Sequence, residues 1–461
     1  MREVPVLACI LSLSAASPAV DPQQSVADED SQERVETLHG RRVLSGEAAP
    51  GDASLLTLVD YYEGSIASHQ YQEAQVAAKR RIEYLLRDED PPGSLMAAAL
   101  EDLAFAQRLS ESFEAAIQNY SAAIDLLARG NSMLSGRLID PLRGLGDTYM
   151  ASAQPHLALP VYERALHLNH VNEGPHNLGQ LDILDTMMAA EEKAGRPDSA
   201  LGVVDRMSAL YARHFGTGSE EMLPVLARRA ALQNRLGQHQ GERLTYLDVV
   251  RIIQEHRGES DVSLIEPYSA IGRTYLHEVG DVVFRSEPTG QTGETFLKKA
   301  LDVARKNPDA GGLIQAELLI QLADYYTVMN AHDKARRRYR SAWNILSANG
   351  RLDERRNDLE TTVPIVRPKL DRYANFGYRS AADASADTAY DEGYIVASFT
   401  VNERGRVTDI EVVEGDPADF GAMQTRVQRT LRESVFRPRY EDGDPVRTEG
   451  QLFRHDFLYV N

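Results

Sequence analysis

The chain has 461 residues, of which 43% are hydrophobic and 26% are charged, and its formal net charge at pH 7 is −19. This composition is that of a folded protein with enough chain for several domains, and it argues against wholesale disorder or a membrane-embedded bundle. The acidic balance also argues against a nucleic-acid-binding protein, although it is compatible with a local basic patch.

Residues 1–19 resemble a secretory signal peptide. The apolar run VPVLACILSLSAASPA follows Arg2, is too short to span a bilayer comfortably, and predicts cleavage after Ala19. Two alternatives remain open: Val6–Cys9 resembles a lipobox if a start codon lies upstream, and an uncleaved segment would anchor the protein in the membrane, facing the periplasm. Because Cys9 is the only cysteine, disulfides within the chain and cysteine-based zinc sites are excluded. Residues 20–51 are expected to be disordered.

The sequence from residue 52 to residue 350 is repetitive. Markers that open the second helix of each unit recur every 42 residues, at Ala74, Ala116, Ala158, Ala200 and Glu242. The interval widens to 51 before Gly293 and returns to 42 at Ala335, which predicts an insertion within residues 277–293. Apolar residues three, four and seven apart around the markers predict two amphipathic helices per unit.

These intervals resemble the tetratricopeptide repeat (TPR), most clearly in the unit that contains Leu142, Leu145, Gly146, Tyr149, Ala158, Tyr162 and Ala165. The resemblance implies a right-handed α-solenoid of about seven 42-residue helix pairs with a concave surface for partners. The alternative is a non-repetitive helical bundle.

The resemblance also indicates which first-helix residues would face the groove and bind a partner. They are Glu101, Arg108, Asp140, Arg143, Asp147, Asp182, Asp185, Glu192, Glu266, Arg273, Glu317 and Asp324. Acids outnumber arginines nine to three, which favours basic or amide-rich peptides. The alternative is that these residues form the solvated faces of an acidic protein.

Residues 351–390 predict a linker, because charged and low-complexity stretches surround Pro364 and Pro368. A small α+β domain follows over residues 391–461, in the order strand, strand, helix, strand. The first strand alternates through Ile395, Ala397, Phe399 and Val401. Asp416-Pro417 predicts the start of the helix, and residues 449–460 predict the last strand.

This domain resembles the C-terminal domain of TonB, the periplasmic energy transducer. The resemblance is carried by GYIVASFTV, NERGRV, Phe436-Arg437-Pro438, Asp442-Gly443-Asp444-Pro445-Val446 and HDFLYV. It implies a periplasmic location and pairing of the last strand with an extended partner segment, at Gln451, Phe453, His455, Phe457 and Tyr459. The alternatives are an edge closed by dimerisation or by the solenoid, and an unrelated ββαβ domain.

Catalytic signatures such as HExxH, GxSxG and phosphate-binding glycine loops do not occur in the sequence. His167, His170 and His176 cluster between repeats, where roles in a loop or cap are favoured over a metal site. The sequence therefore predicts a non-enzymatic periplasmic scaffold without cofactors or metals. Its expected partners are proteins or peptides, envelope and outer-membrane proteins among them, and membrane association is expected only through the N-terminus.

Two other functions remain open at this point. One is a TonB-type energy transducer variant for outer-membrane transport, although the N-terminal apolar run is short and a repeat array replaces the arm of TonB. The other is a hydrolase that acts on cell-wall material, which only the expected location favours.

Overall fold

The structure is a computed structural model that describes residues 54–130, 132–278, 292–307, 311–348, 359–368, 370, 391–418 and 420–459. The predicted signal peptide, the segment 20–51, most of the 277–293 insertion and most of the 351–390 linker lie outside the described residues. The chain forms two compact units, one ending at Leu236 and one beginning at Gly237.

The first unit consists of helices joined by short turns. They are α1 (Leu55–Ala67), α2 (Tyr71–Leu85), α3 (Gly93–Leu109), α4 (Phe113–Gly130), α5 (Ile139–Ala151), α6 (Pro155–Glu173), α7 (Leu181–Lys193), α8 (Pro197–Phe215) and α9 (Leu223–Arg235). Short 3-10 turns at Gly136–Leu138, Leu178–Gln180 and Glu220–Met222 lead into α5, α7 and α9.

Small residues let the helices of this unit approach one another closely. The markers Ala74, Ala116, Ala158 and Ala200 are fully buried on the second helices, as the repeat register predicts. A Cβ added at Gly146 would lie 2.4 Å from the ring of Tyr162, so the glycine makes room for the aromatic side chain. The tyrosines of the repeat therefore fill space that a neighbouring first helix leaves open.

The second unit begins with five further helices: α10 (His239–Arg257), α11 (Ile265–Thr274), α12 (Gly293–Lys306), α13 (Gly311–Val328) and α14 (His332–Ser347), with short 3-10 segments at Val262–Leu264 and Tyr275–Glu278. Counted along the described chain, α1 to α14 are fourteen helices, the number that the predicted seven helix pairs require. Among the described residues, every helix is too short or too polar to cross a membrane.

A small sheet domain completes the second unit. Its main strands are β2 (Asp391–Val401), β3 (Val407–Asp416) and β7 (Thr448–Tyr459), and helix α15 (Gly421–Glu433) covers one face. Four short strands pair outside this sheet: β1 (Val363–Val366) with β4 (Val435–Arg437), and β5 (Arg439–Glu441) with β6 (Asp444–Val446).

The predicted ββαβ order is confirmed in the main sheet and its helix. Ile395, Ala397, Phe399 and Val401 point into the core, against Met423, Val427 and Leu431 of α15. The predicted helix start was wrong, because β3 continues to Asp416 and α15 begins only at Gly421. Asp416 pairs with Tyr394 of β2 and so extends the strand instead of capping the helix.

Candidate partner-binding surfaces

Strand β7 lies at one edge of the three-stranded sheet, whose order is β3-β2-β7. It pairs antiparallel with β2 through nine consecutive residues, Asp391 to Phe399, without interruption. Among the described residues β7 has a strand partner on this side only. A regular strand with one unpaired side is a template for an additional strand.

The opposite edge is less suitable for strand addition. Strand β3 is irregular, with breaks in its register at Val396/Ala397 and Ser398/Thr400 of its partner strand. Its exposed side chains include four carboxylates, at Asp409, Glu411, Glu414 and Asp416. Bulges and charges of this kind protect sheet edges from pairing, so β7 is the edge that the fold leaves more open.

The five predicted β7 residues point toward the helix-covered side of the sheet. Phe457 is 1% exposed, and Phe453 and Tyr459 pack against the same core. Gln451 accepts a hydrogen bond from the hydroxyl of Thr362 at 2.6 Å. A strand added here would therefore meet the backbone of these residues, while the outward side chain of Leu452 stays 69% exposed.

The other face of the sheet carries a polar network that the sequence did not predict. The Tyr394 hydroxyl donates to Glu414 at 2.6 Å, and the Arg454 guanidinium lies over the Tyr394 ring, 4.1 Å from its centroid. Arg454 also donates to Asp456 at 2.9 Å. These contacts join all three strands on the face opposite α15, so this face is ordered but open to solvent.

The predicted groove residues of the first unit form ion pairs between successive first helices. Arg143 of α5 lies 3.8 Å from Asp182 of α7, and Asp185 and Glu192 of α7 contact Arg228 and Arg235 of α9. These pairs show that the first helices lie side by side, as a solenoid requires. Asp182 thus has an arginine partner in the preceding repeat, and Asp185 and Glu192 have theirs in the next.

Arg228 and Arg235 were missed by the sequence analysis, which placed no groove residue on α9. Each lies 43 positions after the acid that it contacts, one more than the repeat interval of 42. Projecting the acids forward by one repeat lands on Ala227 and Asn234, so the repeat register alone does not find the arginines, each of which lies one position further on.

The other predicted residues of this unit lie nearby in different surroundings. Asp147 accepts a hydrogen bond from the Tyr162 hydroxyl at 2.7 Å, and Arg108 lies over the ring of Phe105, 5.1 Å from its centroid. Burial, reinforced by the charges of Asp140 and Asp102, raises the pKa of Glu101 to about 8. Glu101 and Asp140 are therefore close enough to interact, although they belong to different repeats.

In the second unit, Glu266 and Arg273 pair with each other at 2.9 Å on α11, and Glu317 is partly buried on α13. Asp324 differs from the expectation of an accessible groove residue. It is 8% exposed and accepts two hydrogen bonds from Arg437 of the sheet domain, at 3.0 and 2.6 Å. Its carboxylate is thus occupied by the chain itself.

Asp324, Tyr339 and Arg437 form a buried polar cluster between α13, α14 and β4. The Tyr339 hydroxyl donates to Asp324 at 2.5 Å, and the ring packs on Tyr440, with centroids 4.9 Å apart. Burial alone would lower the pKa of Arg437, but the charge and hydrogen bonds of Asp324 outweigh it and raise that pKa. The sheet domain is therefore joined to the last helix pair by a specific charged contact.

The predicted histidine cluster does not come together as a metal site. His170 contacts Gln180 and Arg206, each at 2.9 Å, and His214 lies 2.5 Å from the carbonyl oxygen of His176. His167 lies within α6. Groups of three or more possible metal ligands are not found among the described residues.

Comparison with known proteins finds likenesses to each part of the chain. The family of the Gram-negative bacterial TonB protein C-terminal region matches residues 384–457. A putative kinesin light chain from Podosopora anserina with TPR-like repeats is 15% identical, covering 44% of this chain and 96% of that chain at a TM-score of 0.40. The C-terminal part of a TPR repeat-containing protein from Cytophaga hutchinsonii is 12% identical, covering 65% and 98% at a TM-score of 0.43. A search of curated proteins finds no match.

The chain is thus a repeat-helix protein that ends in a small sheet domain. Residues 384–457 of that part of the chain are similar to the C-terminal region of the Gram-negative bacterial TonB protein.

Proposed function

We propose that this chain is a non-enzymatic scaffold of the Gram-negative cell envelope, exported to the periplasm. In this proposal the helix pairs bind one protein partner, and the TonB-like domain binds another by accepting an extended segment along β7. The observation that carries the proposal is the regular β7 edge, which pairs with β2 through nine consecutive residues and has no second strand partner among those described.

The C-terminal match and the signal-peptide-like residues 1–19 support the proposed compartment. A chain with one cysteine, located in that leader, needs no disulfide chemistry in an oxidising compartment. The first helices support partner binding in a more limited way, because the acids on α7 are paired within the solenoid. A basic partner segment would compete with Arg228 and Arg235 for them.

Photo-crosslinking in living cells tests the β7 part of the proposal. A benzoyl-phenylalanine introduced at Leu452 would lie on the exposed side of the edge strand without disturbing the core, since this side chain is 69% exposed. The matched control is the same probe at Arg429, an exposed position on α15 of the same domain. Both variants should fold like the unmodified protein.

We expect a defined protein adduct from position 452 and none of comparable yield from position 429. The adduct should carry its crosslink within an extended segment of the partner, mapped by mass spectrometry of the tryptic peptides. Equal adducts from the two positions, or adducts to many proteins in proportion to their abundance, would remove β7 as the partner-binding edge.

A further inference from the structure

A cleft of about 630 Å³ lies where the last helix pair meets the sheet domain, within the second unit. The α13–α14 turn and the first turns of α14 line one part of it. The β2–β3 turn and the chain from Pro438 to Pro445 line the rest. The residues of the β7 edge are not among those that line it, so it is a separate surface of the domain.

The charged residues that line this cleft are mostly basic. They are Lys334, Arg336, Arg337 and Arg404, against Asp333 and Glu403. A local excess of positive charge is unusual in a chain whose net charge is −19. The surrounding acidic protein repels anions at long range, so any anion that binds here must be held by short-range contacts.

Two of the four cations are not engaged with carboxylates elsewhere. Arg336 pairs with Asp444 at 2.8 Å, and Lys334 lies 3.7 Å from Glu294. Arg337 and Arg404 are exposed, and within the part of the chain that the structure describes their guanidinium groups form no ion pair or hydrogen bond. They come from two different elements, α14 and the β2–β3 turn, and converge on one cleft.

The positive charge of the β2–β3 turn acts on His332, which lies on the helix side of the cleft. Burial lowers the pKa of His332, and the charges of Arg404 and Arg406 lower it further, while Asp333 acts in the opposite direction. Burial first, and then the cationic neighbours, therefore favour the neutral form of His332. The positive field in the cleft comes from arginine and lysine, which stay charged across the physiological pH range.

Helix α14 already binds a carboxylate of the same chain beside this cleft. Asp444 of β6 is held by both Arg336 and Arg340, one helical turn apart. Guanidinium groups suit carboxylates because their planar donors match the two oxygens. Arginines of α14 thus hold one carboxylate already, and Arg337 of the same helix lines the cleft together with Arg404.

We propose that this cleft binds an acidic peptide segment, with Arg337 and Arg404 contacting its carboxylates. Pro445 supplies a half-exposed apolar surface in the same lining, on which the aliphatic stem of a glutamate side chain can pack, whereas Pro438 and Tyr440 are buried. Because the cleft is open to solvent, a peptide that crosses it can insert an acidic side chain. This site does not depend on strand pairing at β7, so its test is independent of the proposed function.

The test uses full-length protein and a fluorescein-labelled hexaglutamate peptide, followed by fluorescence anisotropy at low ionic strength. A hexaglutamine peptide of the same length controls for contacts other than charge. The variants are Arg337→Gln and Arg404→Gln, and Arg432→Gln on α15 is the matched control at an exposed arginine outside the cleft. Circular dichroism of each variant checks that the helices are intact.

We expect the glutamate peptide to bind the unmodified protein at least tenfold more tightly than the glutamine peptide. Each cleft variant should weaken binding of the glutamate peptide about tenfold or more, because it removes one charge-assisted contact. Arg432→Gln should leave the binding unchanged. Equal binding of the two peptides, or equal losses in all three variants, would overturn the site. Inorganic phosphate and sodium chloride are each titrated against the bound peptide. If phosphate displaces the peptide at a far lower concentration than sodium chloride does, the cleft is a small-anion site and the peptide assignment is overturned.

Discussion

The buried ion pair between Asp324 and Arg437 makes a quantitative prediction about how the sheet domain is held. The side chains are 11% and 15% exposed, and each would be left as an uncompensated buried charge if the other were removed. We therefore expect Arg437→Met to destabilise the second unit by about 3–5 kcal/mol. Tyr339→Phe, which removes one hydrogen bond to the same carboxylate, should cost less, about 1–2 kcal/mol.

Trp343 provides the assay, because it is the only tryptophan in the chain and lies against Gly443 of the sheet domain. Urea unfolding of the full chain is followed by tryptophan fluorescence for this contact and by far-ultraviolet circular dichroism for the helices. The fluorescence transition should move to lower urea in Arg437→Met. The exposed pair Arg429–Glu433 on α15 is the control, and Arg429→Ala should not move the transition measurably.

A double substitution separates the charge from the contact area. Replacing both partners, with Asp324→Leu and Arg437→Met, leaves no unpaired charge and should recover roughly half of the lost stability or more. The reasoning is refuted if Arg437→Met is as harmless as Arg429→Ala, or if the double variant is as unstable as the sum of the two single variants.

The remaining predictions concern glycines and one carboxyl group. Gly405→Ala should destabilise the sheet domain by more than about 2 kcal/mol, because φ is +75° and a Cβ would lie 2.0 Å from a backbone oxygen. Gly450→Ala, where φ is +68° but no atom lies near the added Cβ, should reduce the stability of the same domain by about 1 kcal/mol in the same urea experiment. Gly146→Ala should destabilise the first unit by about 1–3 kcal/mol, because the added Cβ would meet the ring of Tyr162. Gly202→Ala, with no atom near the added Cβ, should stabilise the same unit by about 0.5–1 kcal/mol. Both are measured in thermal melts, and a loss of stability in both variants would contradict the packing argument. Because the pKa of Glu101 rises from 4.5 to about 8 on folding, its stabilising contribution is present below pH 4.5 and is lost as the pH rises to about 8. Glu101→Gln should therefore flatten the pH dependence of the urea midpoint in that range. An unchanged slope would count against the raised pKa of Glu101.

The repeat register made much of the helical fold predictable. Ala158 and Tyr162 recur at fixed intervals because each pair needs a small residue for close approach and a ring to fill the gap, so sequence period and packing have the same cause. A further signal was available at Gly174, Gly216 and Gly258, which end their helices with φ of 88°, 88° and 94° at intervals of 42 residues. The alternation of apolar residues likewise located β2 and β7.

The contact between the last helix pair and the sheet domain could not be predicted in this way. Asp324 and Arg437 are 113 positions apart, and neither helical spacing nor turn chemistry links them. Asp324 occupies the position that the repeat pattern assigns to the groove, so the pattern placed it correctly on the helix but could not show what covers it. The start of α15 was missed for a similar reason, because pairing of Asp416 with Tyr394 extends β3 past the local capping signal.

Hydrogen exchange along β7 tests the central claim most directly. In the free protein, amides of β7 that bond to β2 should exchange slowly and those on the open side rapidly, in alternation along the strand. On addition of the segment captured at position 452, we expect the rapid amides of β7 to slow at least tenfold, with α15 unaffected. Unchanged exchange along β7 in the bound state, with protection only on the helices, would contradict strand pairing at this edge.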